Sequence, residues 1–275
     1  MSSTLAPQCG IEFGNATATE QFFGVGGKKT LEDFGLREVP PLGDAQGGCT
    51  TNLFLGFFFD GTKNNYTEAE AVRNHSNVAR LYDCYPGESV PDVLPRTTDW
   101  QHEPQRYRHF FIVYVPGVAS PFKQVGDKGD WTLGAAAGAF AERRIIWALL
   151  QAINNVHRYF LKAPLISTEQ AHSLVRRIHL NKHARALMVG QGKPDGIGKL
   201  ADQDARIEFE AILKRLHSSL SAHWPNKKTG RPAKIDPGIV KSIYISVFGF
   251  SRGATQARAF LNWLQSLCKL DAQLV

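Results

Sequence analysis

The chain has 275 residues, of which 43% are hydrophobic, 11% aromatic and 21% charged, and this composition is typical of a globular protein. No segment reaches the roughly 18 to 20 consecutive apolar residues that a membrane-spanning helix needs, which excludes an integral membrane protein built from such helices. Lysine and arginine total 32 against 25 aspartate and glutamate residues, so the net charge is +7. This charge favours anionic partners, of which phospholipid surfaces and nucleic acids are the common ones.

The N-terminus and the cysteines bear on the cellular compartment. Residues 1–7 contain neither the basic nor the apolar region of a secretory signal peptide, so we expect synthesis in the cytoplasm without one. The four cysteines are widely spaced and show no metal-ligand pattern: Cys9, Cys49, Cys84 and Cys268. The pattern indicates reduced thiols and no metal site.

The first half of the chain predicts two buried strands. Residues 1–48 are rich in glycine, proline and polar residues, which is typical of an irregular leader rather than a domain. Residues 52–59 and residues 109–115 are continuous apolar and aromatic runs, and each ends in a turn sequence. Such runs are typical of parallel strands that are covered on both faces. Between them, Asn74 or Ser76 can cap a short helix.

The second half predicts helices and a third strand. A long helix is expected over residues 133–159, and residues 165–225 contain polar helical segments that we interpret as a helical insertion. Residues 240–248 predict a third buried strand, which an amphipathic helix follows directly. Strands that alternate with helices indicate α/β architecture, so residues 49–275 are expected to form one α/β domain.

The segment between the third strand and the last helix matches the Gly-x-Ser-x-Gly pattern of a nucleophile elbow, with Ser251 between Gly249 and Gly253. The turn is so tight that side chains two residues before and after the serine would collide with neighbouring backbone, so both positions need glycine. The turn exposes the serine hydroxyl and directs the helix N-terminus, with the backbone N–H of Arg252, at the place where an oxyanion forms during acyl transfer.

A second N–H group is expected from the loop after the first strand, Asp60-Gly61-Thr62. This loop follows the C-terminal end of the strand, where ligands of open α/β sheets bind. In one interpretation the Gly61 and Thr62 amides face Ser251 while Asp60 orients the loop. In the other, Asp60 only closes a turn with its own backbone. The spacing alone does not decide between them.

Four segments, in order along the chain, resemble the catalytic domain of type VI secretion lipase effectors, the Tle-type phospholipases. They are residues 57–65, 75–82, 114–118 and 249–254, and the resemblance spans roughly residues 50–270. It implies an α/β-hydrolase fold, which is a three-layer sandwich around a mostly parallel sheet. It further implies a Ser-Asp-His triad that cleaves phospholipid acyl esters in the manner of a phospholipase A, as a serine hydrolase without a cofactor.

The same resemblance implies a biological setting. Such effectors are made in the bacterial cytoplasm and delivered by a contractile apparatus to the periplasm or membrane of a target cell. The partners implied are a phospholipid membrane surface, a secretion-spike protein and a cognate immunity protein, with no nucleic acid. Delivery of this kind agrees with the absence of a signal peptide from residues 1–7.

The expected triad is not complete in this sequence. In α/β-hydrolases the acid and the histidine follow the serine along the chain, but residues 252–275 contain one acid, Asp271, and no histidine. Two interpretations stay open: the chain is the N-terminal part of a longer protein and is inactive alone, or an upstream histidine is the base. All nine histidines precede Ser251: His75, His102, His109, His157, His172, His179, His183, His217 and His223. Of these, His75 is the first candidate because it follows the loop after the first strand.

A second hypothesis is a non-catalytic module that keeps the fold but lacks the acid and histidine, and that binds anionic surfaces or acts as an adaptor. Basic residues on the predicted helices, Arg143, Arg144, Arg176 and Arg177 among them, give either a membrane-docking face or an ordinary solvated face. An esterase or thioesterase that acts on a soluble substrate shares the elbow and is a third possibility.

Overall fold

The computed structural model of the chain describes residues 50–94, 107–129, 134–178, 203–224, 234 and 238–274. These residues all belong to one compact unit. The expected leader, residues 1–48, lies outside the described residues.

The described residues form three strands and six helices. The strands are β1 (Thr50–Phe59), β2 (Phe110–Val115) and β3 (Ile239–Gly249). The helices are α1 (Tyr66–Glu70), α2 (Asn77–Cys84), α3 (Gly134–Leu161), α4 (Thr168–Arg177), α5 (Gln203–Ser219) and α6 (Arg252–Ala272). The predicted strands and the long helix are confirmed to within two residues at each end. Ser76 is the residue that caps α2, since its hydroxyl accepts a hydrogen bond from the Ala79 N–H at 3.0 Å.

The strands form a parallel sheet in the order β2-β1-β3. Phe59 at the end of β1 lies opposite Val115 of β2 and Gly249 of β3. The C-terminal ends of the three strands therefore lie at the same edge of the sheet. The loops that follow them meet there, and ligands of open α/β sheets bind at that edge.

Helices cover both faces of the sheet, so the described residues form three layers. On one face, Leu53, Leu55, Phe57 and Phe59 of β1 pack with buried residues of α3, α4, α5 and α6. On the other face, Phe58 packs with buried residues of α1 and α2. Because β1 is covered on both sides, its continuous apolar run is explained by burial. The expected α/β architecture is confirmed.

The prediction that β3 is fully buried is wrong. Ile243 is 44% exposed and Tyr244 is 36% exposed, since among the described residues β3 pairs only with β1. A central strand and an edge strand of a parallel sheet share the same apolar pattern, so the sequence did not distinguish them. The apolar side chains on both faces of β3 are therefore only partly buried.

The expected insertion contributes to the main core. Val175 of α4 and Phe209 of α5 are fully buried in the same cluster as the β1 side chains. On the outer surface, the Arg177 guanidinium donates to Glu208 at 2.9 Å, so this member of the predicted basic face pairs α4 with α5. No helix in the described part of the chain is long and apolar enough to span a bilayer.

Candidate active site

The elbow (residues 249–253) places Ser251 at the junction of β3 and α6. Ser251 has φ 54° and ψ −127°, a backbone conformation that residues with a side chain rarely adopt. The residue is exposed, and its hydroxyl does not cap α6. No described residue forms a hydrogen bond with this hydroxyl. A strained and exposed serine at the start of a 21-residue helix has the geometry expected of a nucleophile elbow.

The two glycines of the elbow are required by space. A Cβ at Gly249 would lie 2.7 Å from the Gly253 carbonyl oxygen and 2.8 Å from the Ala254 Cα. A Cβ at Gly253 would overlap the carbonyl oxygens of Phe59 and Asp60, because α6 begins directly against the end of β1. The predicted collision with neighbouring backbone is therefore confirmed at both glycines.

Replacing Gly253 with alanine is expected to lower the free energy of unfolding by on the order of 3 kcal/mol, because the atoms in the way are backbone and cannot rotate aside. Urea unfolding would measure the change. The control is Ala254→Ser at the next, exposed helix position, for which we expect a change within about 0.5 kcal/mol. A Gly253→Ala protein with an unchanged urea midpoint would contradict the close approach of α6 to β1.

The loop after β1 (residues 60–65, the β1 loop) lies next to the elbow. The Arg252 Nε donates to the Thr62 hydroxyl at 2.5 Å, which ties the start of α6 to this loop. The backbone N–H groups of Thr62 and Arg252 have no acceptor among the described residues. The Gly61 N–H differs from the expectation, since it donates to Asp60 Oδ1 at 2.7 Å. Of the three N–H groups that the sequence predicts for oxyanion binding, those of Thr62 and Arg252 are therefore without an acceptor among the described residues.

Asp60 organises the β1 loop and is not placed as a base. Its side chain is almost fully buried and accepts four hydrogen bonds. The donors are the Gly61 N–H at 2.7 Å, Asn64 Nδ2 at 3.1 Å, the Ser76 hydroxyl at 2.7 Å and the Tyr114 hydroxyl at 2.6 Å. Four bonds use the full accepting capacity of a carboxylate. Both interpretations of Asp60 thus describe part of its role, because it closes a turn with the next residue and joins the loop to α2 and β2.

Tyr114 supports this arrangement through its protonation state. Burial raises the pKa of the Tyr114 hydroxyl well above its ordinary value, and the negative charge of Asp60 raises it further. The hydroxyl therefore stays protonated at physiological pH and donates to the carboxylate.

No described histidine forms a hydrogen bond with Ser251. The ring of His75 packs against Tyr66 with centroids 4.4 Å apart and the ring planes tilted by 51°, and its Nε2 lies 3.0 Å from Glu70 Oε2. His75 is therefore engaged with α1. His102, His179 and His183 lie outside the described residues.

The one acid that follows the serine is paired far from it. Asp271 Oδ1 lies 2.7 Å from His217 Nε2, which joins the end of α6 to α5. Because Asp271 comes 19 residues after Arg252 on one helix, it lies roughly 28 Å from the elbow at 1.5 Å per residue. The His217–Asp271 pair cannot serve Ser251.

A polar pocket of about 210 Å³ is lined by residues of the β1 loop, α1, α2 and the segment between the two helices. Its lining includes Asp60, Lys63, Asn65, Glu68 and Ser76, but not Ser251. Within the described residues no group of three or more His, Cys, Asp or Glu side chains is arranged to hold a metal ion.

The sequence does not predict which side chains hold the loops together at the C-terminal edge of the sheet. Tyr114 and Ser76 bond Asp60 from positions 54 and 16 residues away, so no local pattern indicates their role. Arg144 was expected on a basic helix face, and this is wrong: it is fully buried and ion-paired with Asp127 at 2.7 Å. The signal that was available is its place among apolar residues of α3, since the flanking Ile145, Ile146 and Trp147 are buried as well.

Comparison with known proteins finds similarity to a solved structure, but not to a family model or a curated protein. No protein-family model matches the chain, and no curated protein is significantly similar to it. A crystal structure of an uncharacterized protein from Pseudomonas aeruginosa is similar at 26% identity and a TM-score of 0.54, over 78% of this chain and 26% of that chain. The chain thus spans about a quarter of the length of that protein.

Proposed function

We propose that this chain carries the nucleophile and the oxyanion site of a serine hydrolase of the phospholipase A type, with Ser251 as the acyl nucleophile. The observation that supports this most is the backbone of Ser251, which is held at φ 54° and ψ −127° with its hydroxyl exposed. Such a conformation costs on the order of 1 to 3 kcal/mol and persists at functional sites, where the strain presents a reactive group.

The proposed reaction is acyl transfer. The Ser251 Oγ attacks the ester carbonyl and gives up its proton to a base, and the carbonyl oxygen becomes an oxyanion. The N–H groups of Arg252 and Thr62 donate to that oxyanion, and the amino end of α6 adds a favourable dipole. The ester C–O bond then breaks, the alcohol leaves with the proton from the base, and water releases the acid from the acyl-enzyme.

We propose further that the fold is that of an α/β-hydrolase. The crossover from β1 to β2 carries α1 and α2 on one face, and the crossover from β2 to β3 carries α3, α4 and α5 on the other. The two crossovers run in opposite directions across the sheet and lie on opposite faces of it, so they have the same handedness. Crossovers between parallel strands are right-handed by general rule. Because α6 lies on the same face as α3, a strand after α6 would join the sheet at the open edge of β3. The C-terminal end of that strand is a suitable place for the acid of the triad.

Type VI delivery, a spike partner and an immunity partner are proposals that rest on the resemblance of the four segments alone. They agree with a lipid substrate reached in the periplasm or membrane of a target cell.

Fluorophosphonate labelling of lysates from the native host, beside a Ser251→Ala strain, tests the proposed nucleophile. We expect a labelled band that disappears with the substitution, because only an activated serine reacts with this probe at an appreciable rate. A band well above 30.5 kDa indicates that a longer polypeptide completes the triad, whereas a band at 30.5 kDa indicates an upstream histidine as base. If the protein is present and no Ser251-dependent band is seen, the proposal fails.

A second candidate function is a non-catalytic module that binds anionic surfaces. Two observations favour it: no described acid or histidine forms a hydrogen bond with Ser251, and the net charge is +7. Such a module would sediment with anionic phospholipid vesicles, lose binding as the salt concentration rises and be indifferent to Ser251→Ala. Binding that ignores salt, together with a reactive Ser251, would exclude it.

A further inference from the structure

Arg144 of α3 is fully buried and every one of its donor groups is used. Its Nη1 donates to Asp127 Oδ2 at 2.7 Å and to the Phe140 carbonyl at 3.4 Å. Burial lowers the pKa of the Arg144 guanidinium, and the charge of Asp127 beside it opposes that lowering. An ion pair that is buried this deeply has to be compensated by further hydrogen bonds.

The further hydrogen bonds all go to the loop after β2 (residues 116–127, the β2 loop). The Arg144 Nε donates to the Pro116 carbonyl at 2.9 Å, and Nη2 donates to the carbonyls of Gly117 at 3.1 Å and Ser120 at 2.7 Å. One side chain therefore fixes the start of the β2 loop at three backbone positions and its end through Asp127.

The part of the β2 loop that Arg144 fixes holds the β1 loop in turn. The Gly117 N–H donates to the Asn64 carbonyl at 2.9 Å, and the Lys63 N–H donates to the Val118 carbonyl at 3.0 Å. The Ser120 hydroxyl donates to the Gly117 carbonyl at 2.6 Å, and its oxygen also lies 3.2 Å from the Asn64 carbonyl. A Cβ at Gly117 would overlap the Gly61 carbonyl, so the two loops are in direct backbone contact.

We propose that Arg144 is a positioning residue of the site, which acts through the β2 loop to hold the Thr62 N–H at the distance from Ser251 that oxyanion binding requires. This proposal rests on the proposed function of Ser251. Thr62 lies between Gly61 and Lys63, and both of these residues contact the β2 loop directly. Oxyanion donors act only at about 2.7 to 3.1 Å from the oxyanion, and a misplacement of about 1 Å costs about 10²-fold in rate.

The chain offers a matched control in Arg158, which lies on the same helix and is also buried. Arg158 donates to Asn155 Oδ1 at 3.0 Å, to Glu88 Oε1 at 2.6 Å and to the Ser89 carbonyl at 2.9 Å. These partners lie within α3 and on the segment before β2, and none is in the β1 loop or the β2 loop. Loss of Arg158 thus reports the general consequence of removing a buried arginine from α3.

The test compares Arg144→Met with Arg158→Met in the complete protein, at a temperature at which circular dichroism shows both to be folded. The first readout is kcat and KM on a soluble short-chain ester, and the second is hydrogen exchange of the amides of residues 61–64. For Arg144→Met we expect kcat to fall by about 10 to 100-fold with KM within about 3-fold, and faster exchange in the β1 loop. For Arg158→Met we expect both readouts to stay near those of the unsubstituted protein.

Equal changes in the two variants would overturn the proposal, as would a loss of activity that appears entirely in KM. If Arg144→Met does not fold, Asp127→Asn replaces it, because that change removes the ion pair and leaves the bonds from Arg144 to the β2-loop carbonyls in place. Asp127→Asn should speed up hydrogen exchange of the amides of residues 61–64, although by less than the loss of all the Arg144 hydrogen bonds would. Unchanged exchange at these residues would overturn the proposal. If Ser251→Ala leaves the ester activity intact, the proposed function fails, while the exchange comparison still decides whether Arg144 holds the β1 loop in place.

Discussion

Replacing Ser251 with alanine in the complete protein is expected to lower fatty-acid release from phospholipid vesicles by about 10⁴-fold or more, since loss of a nucleophile removes the whole acyl-enzyme route. The change removes one hydroxyl that makes no hydrogen bond to any described residue, so the fold should be unaffected. Release would be followed by titration of free fatty acid. Ser218→Ala, at an exposed serine on α5, is the control and should keep full activity.

Substitutions of Ser251 should change the stability of the protein independently of its activity. A residue at φ 54° and ψ −127° is strained unless it is glycine. We therefore expect Ser251→Gly to be more stable than Ser251→Ala by about 1 kcal/mol in urea unfolding, while both are inactive. If Ser251→Ala retains release within 10-fold of the unsubstituted protein, Ser251 is not the nucleophile. If Ser251→Gly is the less stable of the two, the elbow is not under backbone strain.

The elements of the fold were predictable where a local pattern determines them. The apolar runs predicted β1, β2 and β3 nearly to their ends. Of the two expected caps, Asn74 and Ser76, the structure shows that Ser76 precedes α2. What the sequence did not give is the order β2-β1-β3, because order depends on which strands pair across long stretches of chain. The half-exposed Ile243 and Tyr244 follow from that order, since β3 lies at an edge of the described sheet.

The residues of the candidate site also fall into those that a local sequence pattern predicts and those that it does not. Gly249, Ser251 and Gly253 are neighbours in sequence, so the elbow could be predicted from spacing and from the steric demands of a tight turn. The network around Asp60 joins residues from β1, α2 and β2, and the partner of Arg144 is Asp127 in a different element. Neither arrangement has a local signature. The sequence therefore leaves the two roles of Asp60 undecided, and it wrongly predicts a surface position for the buried Arg144.

Replacing Asp60 with alanine is expected to lower the free energy of unfolding by about 3 kcal/mol, because four donors in a buried position lose their acceptor at once. The polar pocket beside the β1 loop admits water to part of this space, which keeps the loss below the sum of four separate penalties. Tyr114→Phe removes one donor and leaves Asp60 with three, so it should cost about 1 kcal/mol. Ser76→Ala removes one donor and also the cap of α2, so it should cost about 2 kcal/mol. Urea unfolding of the three variants measures these differences.

A double-mutant cycle between Asp60 and Tyr114 distinguishes this account from a simple loss of packing. In the Asp60→Ala protein the Tyr114 hydroxyl is left buried without its acceptor, so removing that hydroxyl as well should relieve part of the penalty. The double variant Asp60→Ala/Tyr114→Phe is therefore expected to be more stable than the sum of the two single changes predicts, by about 1 kcal/mol. Additivity within about 0.3 kcal/mol would mean that the hydrogen bond of 2.6 Å between the two side chains contributes nothing to holding the β1 loop against β2.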